Sequence, residues 1–329
     1  MEKQNNQEVA VAANYPQKHK KRNAFIRNPF AIVIFVILII YVISFLFPFL
    51  WVFVSSFKDG VFEFGMDKLT LKGMLSLPDK WLFSNYTTAY NCLGLDGPLV
   101  DGEPTFYGFW GLMGNSIVYA FGSALIHTIT CCCAAYAAAK YSKYVVCRML
   151  YPIVIVTMVL PVVGSLGSTL KLMNEIGFYN NLFGLFAMKT GFLGQYFLIF
   201  YATFKGTSDG YAEAARIDGA GHMRIFLSIM LPLTFTTFSA IFLVTFIAEW
   251  NAWNVNIYYL PDFPMISYAL YQIQQGNMLM KLPNGTVANM TNIPMQMAST
   301  ILVTVPIVVV FVLLRKKLMG SLTVGGLKG

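Results

Sequence analysis

Six long apolar runs limit what this chain can fold into: residues 30–55, 111–139, 149–170, 182–204, 231–255 and 294–314. A helix crosses the hydrocarbon core of a bilayer in about 20 residues, and each run supplies that length. Inside lipid every backbone N–H and C=O must find an internal partner, so only helices and closed barrels span. Barrel strands alternate apolar and polar residues, whereas these runs are continuous. Hydrophobic residues make up 57% of the chain and charged residues 12%, which excludes an ordinary water-soluble globule. The expected fold class is all-α. One polytopic domain of six transmembrane helices covers residues 30–314, between an N-terminal segment (1–29) and a tail (315–329).

Charge placement orients the spans. Lys18, Lys20, Lys21, Arg22 and Arg27 precede the first run, and Lys140, Lys143 and Arg148 separate the second from the third. Lys205, Arg216 and Arg224 lie between the fourth and fifth, and Arg315, Lys316, Lys317 and Lys328 follow the last. These basic segments are expected inside, which puts both termini in the cytoplasm. The segment from about Lys58 to Trp110 carries Asp59, Glu63, Asp67, Asp79, Asp96, Asp101 and Glu103 against four lysines, so it is expected outside. The net charge of +8 is then a topology signal, and a nucleic-acid partner is not expected. The first apolar run is too long for a signal-peptide core and reads as a retained anchor.

Between the fourth and fifth runs, at about 205–230, sits a charged island: Glu213-Ala214-Ala215-Arg216-Ile217-Asp218-Gly219-Ala220-Gly221, then Ile229 and Leu231-Pro232. Ser208 and Asp209 are residue types that cap a helix, and Glu213 falls in the first turns, where the macrodipole favours negative charge. Ala214, Ala215 and Ala220 are small enough to let another surface approach the backbone. Gly219 and Gly221 permit a sharp turn. A compact helical knob rimmed by charge suits docking into a groove on a soluble partner.

Chemistry of its own is not expected. The chain has no G-x-x-x-x-G-K-[ST] phosphate loop and no G-x-S-x-G elbow, and its 3 histidines are not spaced as metal ligands. Cys131, Cys132 and Cys133 lie inside the second run, where small residues serve helix packing. No metal or cofactor is expected on the chain, so any ATP and Mg would be held by partner subunits. A solute path should instead show polar groups at membrane depth. Asn115, Lys189, Asn251, Trp253 and Asn254 are candidates, beside His127, Glu249 and Trp250. Lys189 interrupts the fourth run. It either lines a path, snorkels to an interface or pairs with a carbonyl. A hydrogen bond between helices is expected for His127. The Trp-Asn cluster suits sugar, through ring stacking and amide contacts, and equally suits an interfacial aromatic belt.

The island's pattern resembles the coupling loop of ABC-importer permeases, and further segments resemble the maltose-type carbohydrate permeases, in particular their smaller permease subunit. These are "PFLWVFVSSFK" at the end of the first run, "SNYTTAY" at 84–90, Asn115-Ser116, "AAYAAAKY" at 134–141, Pro161, "EWNAWNVNIYYL" at 249–260 and the ending "SLTVGGLKG". Ala212 departs from the acidic residue usual before E-A-A, Arg315-Lys316-Lys317 departs from Gln-Arg-aromatic, and the first outer loop is long. The resemblance implies the type I ABC-importer permease fold in a prokaryotic inner or plasma membrane. It implies a heterodimer with a second permease subunit, two ATPase subunits and an extracytoplasmic solute-binding protein. It implies that Glu213, Ala214, Ala215, Arg216, Asp218 and Gly219 meet the ATPase, and that Gly325, Gly326, Lys328 and Gly329 in the tail reach toward it. Alternating access for a carbohydrate follows. A permease for a peptide, amino acid or polyamine, or a secondary transporter, remains as an alternative.

Overall fold

Helix dominates the chain, as its unbroken apolar runs require. The computed structural model describes residues 29–60, 75–100, 103–160, 164–275, 279–281, 287–289 and 293–319. Helix α1, Pro29–Ser55, belongs up to Val52 to a unit of its own. Of its residues only Ser55, beyond that unit, is buried. The second unit holds α2 (Ser84–Cys92), the hairpin β1–β2 (Leu95–Val100 and Glu103–Tyr107), α3 (Phe109–Lys140), α4 (Val145–Val159) and α5 (Leu166–Glu175). It continues with α6 (Leu182–Met188), α7 (Gln195–Gly206), α8 (Gly210–Ile217), α9 (His222–Leu233) and α10 (Phe235–Trp250). Then come α11 (Asn254–Tyr258), α12 (Ile266–Gln274), the hairpin β3–β4 (Leu279–Lys281 and Val287–Asn289) and α13 (Ile293–Met319). Both hairpins are antiparallel and fall between the apolar runs, the first in the segment expected outside, a small correction to an all-helical reading.

The axis of the second unit is α3. Leu112, Ser116, Tyr119, Ala120, Ser123 and Ala124 are buried along it at helical spacing, and Cys131, Cys132, Ala135 and Ala139 continue the stripe. Alanines and cysteines let α7 and α10 pack closely against it. At Gly122 a Cβ would stand 2.5 Å from the Phe186 ring, so glycine there lets α6 lie against α3. Cys133, the third of the run, is exposed.

Among the described residues, three helices are long and apolar enough to cross a membrane on their own: α1, α3 and α13. The other expected spans are broken. The run at 149–170 stops at Val159. Leu160 is extended (ψ 118°), the conformation favoured before a proline such as Pro161, and α5 starts at Leu166. The run at 182–204 breaks after Met188, and Gly194, at φ 150°, stands just before α7. Just before the fifth run lies a π-turn at Phe226–Met230, and within the run the chain bends by 76° between α9 and α10, around Thr234. Apolar content located α1, α3 and α13 as lipid-length helices, and in the third and fourth runs the breaks fall at prolines and glycines.

Two sequence segments far apart are joined outside α1. Asn85, buried, donates its amide to the carbonyls of Ser56 (2.8 Å) and Lys58 (2.9 Å). The Tyr86 hydroxyl meets Ser56 Oγ at 2.7 Å, and Phe57 packs among Trp81, Phe83 and Tyr86.

Candidate functional site

Two sites follow from the sequence candidates, and the first is the charged island. α8 buries Ala212 and Ala215 and exposes Glu213, Ala214, Arg216 and Ile217, with Asp218 and Gly219 exposed beyond it. The two alanines divide their work: Ala215 seats α8 on the body of the unit, and Ala214 stays available to a visitor. Gly219 takes φ +80°, and the amides of Gly219 and Ala220 close on the carbonyls of Arg216 (3.0 Å) and Ala215 (2.9 Å). This is the glycine-terminated helix end, where a residue with a Cβ is strained by roughly 1–2 kcal/mol. Ile217, 87% exposed, stands at the tip, an apolar contact that charge-based reading passed over.

The expected cap at Asp209 is not made. Its backbone is already helical, and its carboxylate reaches Lys140 Nζ at 2.6 Å. That hydrogen bond, then the lysine charge, hold the Asp209 pKa below the ordinary carboxylate value. Ser208 Oγ accepts from the Gly210 amide at 3.3 Å. Lys140 also donates to the Thr207 carbonyl (2.6 Å), and the neighbouring Tyr141 hydroxyl meets His222 Nδ1 at 2.8 Å. Consecutive residues at the end of α3 therefore brace both entrances to the island.

The second site lies where α3, the end of α6 and the end of α10 meet. Lys189, next after α6, places Nζ 2.6 Å from Glu249 Oε1. The Tyr119 hydroxyl of α3 donates to the other carboxylate oxygen, Oε2. The side chains of Lys189 and Glu249 retain 27% and 14% exposure, so the pair is shielded yet reachable. It lines a cleft of about 420 Å³ with His127, Tyr196, Leu193 and Thr245. The structure gives Lys189 a carboxylate partner, which none of the three readings open for it had named. Among the described residues His127 makes no hydrogen bond between helices: its Nε2 lies 3.7 Å from Cys131 Sγ in the same helix, and its ring meets Tyr196 edge-on.

The other path candidates stand apart from this cleft. Asn115 donates to the Pro264 carbonyl at 2.9 Å, and Ser116 Oγ accepts from the Ile266 amide at 2.8 Å, so this pair fixes the segment leading into α12. Asn251 turns its amide onto the Ile247 carbonyl of α10 (2.8 Å). Trp253 stacks on Tyr271 at 3.9 Å, and Asn254 is exposed at the start of α11. Gly325, Gly326, Lys328 and Gly329 lie outside the described residues, as does Pro161. No group of three or more His, Cys, Asp or Glu able to hold a metal occurs among the described residues.

Comparison with known proteins gives a consistent result. Residues 131–320 match the family model for the binding-protein-dependent transport system inner membrane component. The chain is 24% identical over 307 residues to the diacetylchitobiose uptake system permease protein NgcG of Streptomyces coelicolor, covering 90% of this chain and 88% of the relative. It is 31% identical over 208 residues to the sn-glycerol-3-phosphate transport system permease protein UgpE of Salmonella typhi, covering 63% and 68%. To the trehalose/maltose transport system permease protein MalG of Thermococcus litoralis it is 26% identical over 292 residues, covering 86% and 92%. A crystal structure of a bacterial ABC transporter involved in the import of the acidic polysaccharide alginate contains a chain of the same fold. The TM-score is 0.67 at 22% identity, covering 87% of this chain and 95% of that one.

Proposed function

The chain belongs to the family of binding-protein-dependent transport inner membrane components, and on that premise we propose that it is the smaller permease subunit of an ATP-driven carbohydrate importer. The observation that carries this reading is the island at Glu213–Gly219. It lies inside the family match, is presented as an exposed knob, and is braced to the longest helix of the second unit. A surface visitor pushing on α8 acts through Lys140 and Tyr141 directly on α3, which also carries Tyr119 of the polar cleft.

In this reading the chain makes six crossings, of which the third, fourth and fifth are each two helices in series. Both termini face the cytoplasm. α1, with its unburied apolar surface, faces lipid or the second permease subunit. Two ATPase subunits bind ATP and Mg and dock on Glu213, Ala214, Arg216, Asp218 and Gly219, with Ala215 supporting the helix from behind. The C-terminal glycines reach the same partners. A solute-binding protein delivers sugar from outside, and ATP-driven closure switches the side to which the cavity opens. The cleft at Lys189 is this chain's share of the path, and the chain performs no bond chemistry.

Gly219→Asp tests the proposal. It places a strained, charged residue at the turn while leaving the cleft untouched. In proteoliposomes holding the whole transporter, ATP-dependent sugar uptake should fall by at least about tenfold, a loss of roughly 1.4 kcal/mol in coupling. Sugar capture by the binding protein should be unchanged. Full uptake by an assembled Gly219→Asp complex would remove the island from the coupling path. A secondary transporter would need no ATP for uptake at all, which the same vesicles test.

A further inference from the structure

From the Lys189–Glu249 cleft we infer that this subunit binds its share of the substrate as a neutral saccharide, and that it discriminates against anionic, phosphorylated ligands. The inference rests on the permease reading above and names the ligand class of the same site.

The curated relatives pose the question, since their names cover neutral disaccharides and a phosphate ester alike. Sites for phosphate use unpaired cations, bidentate arginine or the N-terminus of a helix. α7 does begin beside this cleft, next to the lining residues Leu193 and Tyr196, so the case against phosphate rests on the charged side chains. Here Lys189 is the only Lys or Arg lining the cleft, and its ammonium is held 2.6 Å from a carboxylate. A phosphate entering beside it would meet the Glu249 charge at close range. In a site shielded from water, that repulsion offsets what Lys189 offers.

A sugar finds better terms. Lys189 has three N–H donors and uses one on Glu249, so it can still donate to hydroxyl oxygens. Glu249 takes one bond at each oxygen and keeps lone pairs for hydroxyl protons. Thr245 lines the same cleft and is 5% exposed as a residue; its hydroxyl is buried at the wall and has no hydrogen-bond partner among the described residues. A buried hydroxyl left so is costly until something bonds it. Tyr196 and His127 add ring surface for the apolar faces of a pyranose. A volume of about 420 Å³ falls in the usual range for small-ligand sites.

Saturation-transfer NMR on the solubilised whole transporter, without its binding protein, reads this site directly. The probes are maltose, N,N′-diacetylchitobiose and sn-glycerol-3-phosphate. The wild-type complex should transfer saturation to at least one disaccharide and at least about fivefold less to the phosphate ester, a difference of roughly 1 kcal/mol. Leu193→Trp, which fills the cleft from its exposed rim without touching the ion pair, should abolish the disaccharide signal. Glu249→Gln frees Lys189 and should raise the phosphate signal relative to the disaccharides. Three results overturn the inference: a phosphate signal equal to or above the disaccharides in the wild type, no signal from any disaccharide, or a disaccharide signal that survives Leu193→Trp. ATP hydrolysis stimulated by loaded binding protein is measured on the same preparation. If stimulation is intact and the cleft binds no sugar, the subsite fails and the permease reading stands. If stimulation is absent from the wild type, the permease reading fails first.

Discussion

Lys140–Asp209 and Lys189–Glu249 are the same chemistry at the same 2.6 Å separation, set in opposite surroundings. In the first, the lysine side chain is 9% exposed and the aspartate 72%; in the second, the figures are 27% and 14%. Water screens the first through its open carboxylate, so that pair is weak as a source of stability and useful as a hinge that can be made and broken. The second is shielded at both ends and tied to Tyr119, so separating it is costly and its partners hold three helix segments in one arrangement. A transporter that moves needs both kinds of contact: soft ones where a partner pushes, stiff ones where helices must move as a block.

The largest effect should come from breaking the shielded pair one side at a time. Lys189→Met leaves the Glu249 carboxylate without its cation, and removal of one partner of a shielded pair costs about 3–5 kcal/mol. The yield of assembled complex on size exclusion, and its thermal midpoint, should drop sharply. The double variant Lys189→Met with Glu249→Leu should recover much of that loss, because two apolar side chains leave no orphan charge. A single variant as stable as wild type would erase the contrast between the two pairs.

A smaller effect isolates burial from charge. Asn85 is buried and neutral, more enclosed than Glu249, and its amide donates to the Ser56 and Lys58 carbonyls. Asn85→Ala should cost roughly 1–3 kcal/mol, the usual penalty for stranding buried polar groups. Limited proteolysis around residues 56–90 should accelerate. Were Asn85→Ala as damaging as Lys189→Met, shielding and not charge would explain the stiffness of the cleft.

Much of this was legible from sequence because lipid imposes simple rules. Length and continuity located α1, α3 and α13, and spacing located the island with Gly219 at its turn. The breaks within the third and fourth spans were harder, since Pro161, Gly191 and Gly194 sit in runs whose mean hydropathy hides them. The Lys189–Glu249 pair did leave a signal. These two are the only Asp, Glu, Lys or Arg in all six apolar runs, and they have opposite signs. Two lone opposite charges in lipid-length segments imply each other. Asp209 was misleading for the opposite reason: a residue type that caps helices locally was claimed by a lysine 69 positions earlier, which no local pattern reveals. Asn115, a path candidate from its depth in the second run, donates to the Pro264 carbonyl 149 positions later, a partner equally hidden from local pattern.

The smallest effect on stability should come from the exposed pair, and its pH dependence has a definite sign. The hydrogen bond from Lys140, and then its charge, lower the Asp209 pKa in the folded protein. A group with a depressed folded pKa stabilises above its unfolded value, about 3.9 for aspartate, and loses that contribution as pH falls through the folded value. Asp209→Asn should therefore lower stability by no more than about 1 kcal/mol near neutral pH. The difference from wild type should be flat between about pH 6 and 8, shrink below about pH 4, and shrink again at high salt. Coupling should respond more strongly than stability, because Lys140 holds Thr207 and Asp209 together at the entrance to α8. Comparing uptake with ATP hydrolysis in Asp209→Asn separates the two. Lower uptake per ATP with a thermal midpoint within a degree or two of wild type, in line with about 1 kcal/mol or less, identifies a contact that transmits motion. Equal loss of midpoint and uptake would make Lys140–Asp209 an ordinary structural tie, and the distinction between the soft and the stiff pair would then rest on the cleft alone.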